Sequence, residues 1–375
     1  MASLYIHIPF CVARCNYCDF HSNTCLEYKD SFISALLREM DRSREDWQDH
    51  KFDTIYFGGG TPSLIPPKRL SNIFTGIYSN FAFSVYPEIT LEANPDDLSS
   101  SYIDELSYIP VNRISMGVQS FDDRELRLLN RRHSAQQAID AIVKCQAVDL
   151  TNINIDLMFG LPGQTAETWS QTIDRAIDLR VSHISAYNLT YEEGTDLYRM
   201  KQNGEINPVD DDVCAQFYSI LTAKLAAAGF VHYEISNFAR RSTLYPSGRI
   251  SFHNVSYWNG THYLGLGPSA HSFKGTSRSW NVSSLTAYIN GASCETEPVD
   301  ERAAFNDFII TRLRTMWGVS LRELRRRFGK ERENDFLEKC EQFVSINKLK
   351  KEVDNVKVLP EFYFVSDAIL RELIV

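Results

Sequence analysis

Cys11, Cys15 and Cys18 stand together in FCVARCNYCDF, residues 10 to 20, directly after an apolar run. Three thiolates at this spacing can ligate three irons of a [4Fe–4S] cluster and leave the fourth iron without a protein ligand. A structural zinc would instead need four protein ligands in a closed tetrahedron, with His21 or Cys25 completing the set. Core packing explains the crowding poorly, because Arg14, Asn16 and Asp19 interleave with the thiols.

A second group of residues has chemistry for a polar ligand. YFGGGTPS places Gly58, Gly59 and Gly60 at a strand end, where a backbone without Cβ lets a ligand approach, and Thr61 adds a hydroxyl. Glu92 in EANP, Gln119 in GVQSF, Arg131, and Asp156 in NIDLMFGLP supply carboxylates, an amide and a guanidinium. Such a set suits a zwitterionic, ribose-bearing molecule, although each residue taken alone is equally a structural hydrogen bonder.

These residues must be positioned by regular elements, and six short strands end at them: LYIHIP, TIYFGGGT, ITLEANP, RISMGVQS, INIDLMFGLP and HISAYNLT. Helical patterns separate the strands, as in YKDSFISALLREM, with Phe32, Leu36 and Leu37 on one face. ETWSQTIDRAIDL likewise groups Trp169, Ile173, Ala176 and Ile177. This alternation predicts a parallel sheet with right-handed crossovers.

Within the strands, Ile153, Ile155 and Leu157 oppose Asn154 and Asp156. Ile89 and Leu91 oppose Thr90 and Glu92, and Ile114, Met116 and Val118 oppose Ser115, Gly117 and Gln119. One face is apolar for helices; the other must line something that satisfies its hydrogen bonds. The expectation is an α/β fold, a partial (β/α)6 TIM-like barrel with a polar ligand in its lumen, because a filled barrel would carry branched apolar residues there.

The barrel is expected over residues 1–230. Residues 231–299, rich in aromatics, histidine and glycine, read as accessory strands and loops; they contain HNVSYW. Residues 300–375 read as three helices and a hairpin in VKVLPEFYFVS, a small winged-helix-like domain. Its Arg325, Arg326 and Arg327 are expected on the solvated side of a stripe formed by Leu321, Leu324 and Phe328.

A net charge of −9 argues against a general nucleic-acid or anionic-membrane binder. No apolar run reaches the length of a membrane span, and no signal peptide is evident, which points to the cytoplasm. Eight cysteines in 375 residues are not a disulfide scaffold. Cys25, Cys145, Cys214, Cys294 and Cys340 are expected to be small buried hydrophobes.

CVARCNYCDF, YFGGGTPS, EANP, GVQSF and NIDLMFGLPGQT together resemble the radical S-adenosylmethionine superfamily. The likeness is to the branch of oxygen-independent coproporphyrinogen III dehydrogenases (oxidases of porphyrin biosynthesis) and HemW-type haem chaperones. The resemblance implies that Cys11, Cys15 and Cys18 hold a [4Fe–4S] cluster whose open iron is chelated by S-adenosylmethionine. The nucleotide contacts it implies are Tyr5, Tyr17, Gly59, Gly60, Thr61, Glu92, Gln119, Arg131 and Asp156.

The dehydrogenases carry a further cysteine two residues after the third, where Phe20 stands here, and a long N-terminal extension, whereas the first strand here is expected from about Ser3. Both differences favour the chaperones. HNVSYW matches an H-N-x-x-Y-W motif associated with haem binding in that group, which makes His253 the implied haem ligand, beside Tyr257 and Trp258. The implied function is binding haem and passing it to an acceptor protein; an oxidative decarboxylase is the alternative, and it would need an electron donor. A homodimer is compatible with the sequence.

Overall fold

The computed structural model describes residues 2–246 and 248–375. Its centre is six parallel strands, hydrogen-bonded to one another in chain order: β1 (Ala2–Ile8), β2 (Lys51–Gly59), β3 (Ala82–Ala93), β4 (Arg113–Gln119), β5 (Ile153–Phe159) and β6 (His183–Asn188). They are the six runs read from the sequence. Helices Lys29–Trp47, Pro67–Asn80, Ser100–Leu106, Ala135–Ala147 and Ala166–Asp178 return the chain between them.

The sheet continues on both flanks. β7 (Phe230–Glu234) and β8 (Asn237–Arg240) add antiparallel strands beyond β6, while β9 (His262–Leu266) pairs in parallel with β1. β10 (His271–Phe273), β11 (Ser277–Trp280) and β12 (Glu295–Pro298) follow β9, giving twelve strands in all. β7 and β12 remain its two edges, so the barrel is open. HNVSYW is not an extended segment but the helix Phe252–Trp258, packed over β1 and β2.

Residues 300–375 form the helix Glu301–Leu313, β13 (Val319–Ser320), the helix Leu321–Ser345 broken at Gly329, β14 (Leu349–Lys351), β15 (Asn355–Val358) and the helix Ser366–Leu373. At Gly329 φ is +85°, a left-handed value that divides this stretch into the two helices expected. The hairpin is displaced from its expected place. β14 is its first strand, and the part of VKVLPEFYFVS after Pro360 is a 3₁₀ turn, because proline starts a helical turn but gives no ladder donor.

Side-chain alternation divides the two sides of the sheet. Ile114, Met116 and Val118 are fully buried against helices. Under the helix Ala166–Asp178, whose first turn is capped by Thr165, lie Trp169, Ile173 and Ala176; Ile177 is only half-buried and Thr172 takes its place. One apolar core runs from β1 through Phe305, Phe308, Leu324 and Phe336 to Tyr363, so the C-terminal helices pack on the barrel. Cys145, Cys214 and Cys340 are buried as expected, but Cys25 and Cys294 are exposed because both lie in loops. No helix among the described residues is long and apolar enough to cross a membrane.

Trp169 is completely buried, packs on Phe159 with ring centroids 5.6 Å apart, and donates its Nε1–H to the Phe217 carbonyl at 2.9 Å. Trp169→Ala is expected to destabilise the chain by about 3–5 kcal/mol. The check is the urea midpoint at unchanged slope; a loss below about 1 kcal/mol would mean that this helix does not hold the sheet.

Candidate functional site

The cysteine segment has little regular structure, so its placement depends on the strands around it. At its start, Gly60 N–H donates to the Ile8 carbonyl at 2.8 Å and Thr61 N–H to the Phe10 carbonyl at 2.7 Å. A Cβ on Gly60 would lie 2.7 Å from the Phe10 carbonyl oxygen, and one on Gly59, where φ is +108°, would lie 2.5 Å from the His7 ring. The glycines are therefore required for close packing of protein on protein, whatever ligand also approaches them. Farther along, Asn16 N–H donates to the Leu129 carbonyl at 3.1 Å and Asn16 Nδ2 to Leu128 at 2.8 Å.

Pinned in this way, the three cysteines sit over the strand carboxyl ends, at the mouth of a cavity of about 620 Å³. Cys11 Sγ lies 3.5 Å from Thr61 Oγ1, and Arg131 Nη1 donates to Cys15 Sγ at 3.2 Å. Arg131 also bonds Asn94 Oδ1 at 2.5 Å and the Gly117 carbonyl at 2.6 Å. Burial pushes the Cys18 thiol up to about 11 and raises that of Cys11, so ionising them calls for an added positive charge such as metal.

Among the described residues, no three His, Cys, Asp or Glu side chains converge on a single ion. A cluster needs no such convergence, since each thiolate takes a different iron, and three thiols facing one cavity fit it. The cavity also offers unpaired polar atoms to a ligand: Arg131 Nε, Asn188 Oδ1 and Arg113 Nε are buried, line it, and have no hydrogen-bond partner in the protein.

Of the expected nucleotide contacts, Tyr17, Gly59, Gly60, Thr61, Glu92, Gln119, Arg131 and Asp156 all line this cavity. Tyr5 does not. Its hydroxyl bonds His7 Nδ1 at 3.1 Å and its ring stacks behind Tyr56. Gln119 ends β4 with φ +66°, where β4 shifts register against β5, a strained conformation for a residue with a side chain. Glu92 accepts from the Tyr56 hydroxyl at 2.8 Å and from Gly59 N–H at 3.2 Å; burial raises its carboxyl to about 7. Asp156 accepts from Asn154 Nδ2 at 2.8 Å and is also raised by burial.

His253 lies in the wall and not on the cavity surface. It is buried, its Nδ1 is 2.7 Å from Thr54 Oγ1, and its Nε2 is 3.0 Å from the Tyr257 hydroxyl. Burial pushes its imidazole down to about 3, so the ring is neutral. An iron bond requires one of these hydrogen bonds to break. Trp258 contributes its carbonyl to Arg312 at 2.6 Å.

The contacts expected from sequence leave out Tyr56, Arg113, Ser185 and Tyr187, which line the cavity, while Asn154 lines it on the polar face of β5 as expected. Period-two alternation is their signal too: Tyr56 shares the face of Gly58 on β2, Arg113 that of Gly117 on β4, and Ser185 and Tyr187 one face of β6, a strand from which no contact is expected.

A laterally open parallel barrel with three cysteines over a polar lumen defines a radical S-adenosylmethionine fold, and the family model "Radical SAM superfamily" matches residues 5–176. The chain is 36% identical to the haem chaperone HemW of Mycobacterium tuberculosis (strain H37Rv), over 79% of this chain and 75% of that one. It is 33% identical to HemW of Bacillus subtilis (strain 168), over 88% of each. The chain belongs to the HemW family. Among solved structures, coproporphyrinogen III oxidase (HemN) of Escherichia coli superposes with a TM-score of 0.84 at 22% identity, covering 99% of this chain and 89% of that one, which shows the shared fold.

Because Glu92 holds its proton more tightly folded than unfolded, the folded chain carries the extra proton between pH 4.5 and about 7, and stability falls as pH rises through that window. Glu92→Gln is expected to remove that fall. Relative to pH 5, it should retain up to about 3 kcal/mol more stability at pH 8 than the wild type, less where lumen water screens the charge. Parallel denaturation curves for the apo-proteins at the two pH values check this; identical pH dependence would show that Glu92 ionises normally.

Proposed function

We propose that this chain is a haem chaperone that binds haem and hands it to an acceptor protein, carrying a [4Fe–4S] cluster and S-adenosylmethionine. The reading rests on one combination: three cysteines at the mouth of a polar lumen in a chain whose HemW relatives match it over most of their length. Cys11, Cys15 and Cys18 would hold the cluster. Thr61, Glu92, Gln119, Arg131 and Asp156 would bind the nucleotide, with Gly59 and Gly60 leaving it room. A bound cluster supplies an open iron for the amino acid end of S-adenosylmethionine and, when reduced, one electron.

The chain's own part is to bind and orient. Arg131 ties Cys15 to the β3 and β4 ends, which fixes the mouth in one geometry. Glu92 and Asp156 offer buried acceptors to the positive end and the hydroxyls of the nucleotide. Holding and releasing haem needs no change to the porphyrin's covalent bonds, only an exchangeable iron ligand, and the reducing cytoplasm is the setting in which eight cysteines stay as thiols. His253 is the proposed haem ligand; it would reach iron through Nε2 once Tyr257 lets go.

Protein reconstituted under strict exclusion of oxygen is expected to contain iron and sulfide, to bind haem with a shifted Soret band, and to form no protoporphyrinogen from coproporphyrinogen. Cys15→Ser should lose the cluster. His253→Ala should weaken haem binding roughly tenfold. Catalytic 5′-deoxyadenosine formation coupled to decarboxylation would replace this reading with the dehydrogenase one, and undiminished haem binding by His253→Ala would remove His253 as ligand.

A further inference from the structure

The lumen has a second polar end, away from the cysteines. Lumen-facing residues of β4 run Gln119, Gly117, Ser115, Arg113, so Arg113 lies roughly 13 Å along the strand from Gly117, where Arg131 binds. Arg113 lines the cavity yet is only 2% exposed. Nη1 donates to Asn152 Oδ1 at 3.1 Å, Nε has no partner, and the guanidinium forms no salt bridge among the described residues. On β3, its register neighbour Thr90 is fully buried with an unpaired hydroxyl.

The acceptors of this region are engaged elsewhere, and Asp156, which lines the same cavity and feels the Arg113 charge, makes no salt bridge with it and accepts from Asn154 Nδ2 at 2.8 Å. Glu88 accepts from Ser251 Oγ at 3.3 Å, Phe252 N–H at 3.1 Å and His253 N–H at 3.0 Å. Glu234 accepts from Ser236 N–H at 3.1 Å. Asn154 Oδ1 is taken by His183 at 2.6 Å and Ser185 at 3.1 Å, and His183 continues to the Tyr233 hydroxyl at 2.8 Å. A buried cation left in this state is costly, and removing the partner of a buried charge typically destabilises strongly. The Nε–Nη2 edge of Arg113 is the free one, and that edge matches the two oxygens of a carboxylate side-on.

We propose that the floor of the lumen is a carboxylate subsite in which Arg113 receives a propionate side chain of the tetrapyrrole. This rests on the haem reading above. One positive charge among Glu88, Asp156 and Glu234 suits a singly charged carboxylate better than a phosphate, whose second charge would face those carboxyls unpaired.

The test compares haem with haem dimethyl ester, whose propionates carry no charge, titrated into reconstituted full-length protein and followed by the Soret band. Wild type is expected to bind the ester roughly tenfold or more weakly than haem. Arg113→Gln should lose a similar factor for haem and no longer distinguish the two, and Arg113→Lys, which keeps the charge, should recover part of the difference. Equal binding of acid and ester by wild type overturns the subsite without any variant, and so does an Arg113→Gln protein that still discriminates. If wild type binds neither porphyrin, the haem reading falls and takes the subsite with it; if it binds both alike, only the subsite falls.

Discussion

Everything at the mouth of this barrel depends on the backbone pairing between the end of β2 and the start of the cysteine segment. Two N–H groups, of Gly60 and Thr61, reach the carbonyls of Ile8 and Phe10. They can do so only because nothing larger than hydrogen occupies the Cα of Gly59 and Gly60. A loop with no helix or strand of its own would otherwise sample many conformations at a cost of about 1–2 kcal/mol per residue to order. Here that cost is offset by edges already fixed in the sheet, so three thiols are presented together before any ligand arrives.

The same preorganisation extends inward. Arg131 is held by Asn94 on one side and Gly117 on the other while it bonds Cys15, so the cysteine loop, the β3 end and the β4 end move as a unit. Gln119, forced to a positive φ at the β4 end, is the strained member of that unit. Strain of this kind survives only where the surroundings over-determine the conformation. The apolar faces of the strands provide that, because Ile114, Met116 and Val118 cannot leave the core without exposing large apolar area.

Much of this was legible from residues alone, for a definite reason. Period-two alternation in β3, β4 and β5 directly encodes which side chains face helices and which face the lumen, and cysteine spacing encodes a chelating loop. Alternation does not say how deep a lumen residue sits, so Arg113, at the start of β4, reads as an ordinary strand polar. Nor does it report what stands behind a ring. Tyr5 belongs to the same face as the nucleotide contacts, yet Tyr56 from the neighbouring strand covers it, a fact of strand register that composition cannot carry. In the C-terminal segment, Pro360 decided between strand and 3₁₀ turn, and apolar content alone had favoured the strand.

His253 is where sequence motif and geometry pull hardest against each other. Its neutral ring joins Thr54 of β2 to Tyr257 and stacks on Tyr56 at 4.8 Å, while its backbone N–H shares Glu88 with Ser251 and Phe252. In this conformation the motif ties the helix Phe252–Trp258 to β2 and β3 and closes one wall of the lumen. Ligating iron would exchange the Tyr257 hydrogen bond, worth about 1 kcal/mol net, for a far stronger metal bond, so the exchange is not opposed by the energy of that contact. What opposes it is burial: the ring must move into the lumen, or the helix must tilt outward from Glu88. A haem-binding role for this histidine therefore implies motion of the helix, with Glu88 at its first turn as the anchor against which it moves.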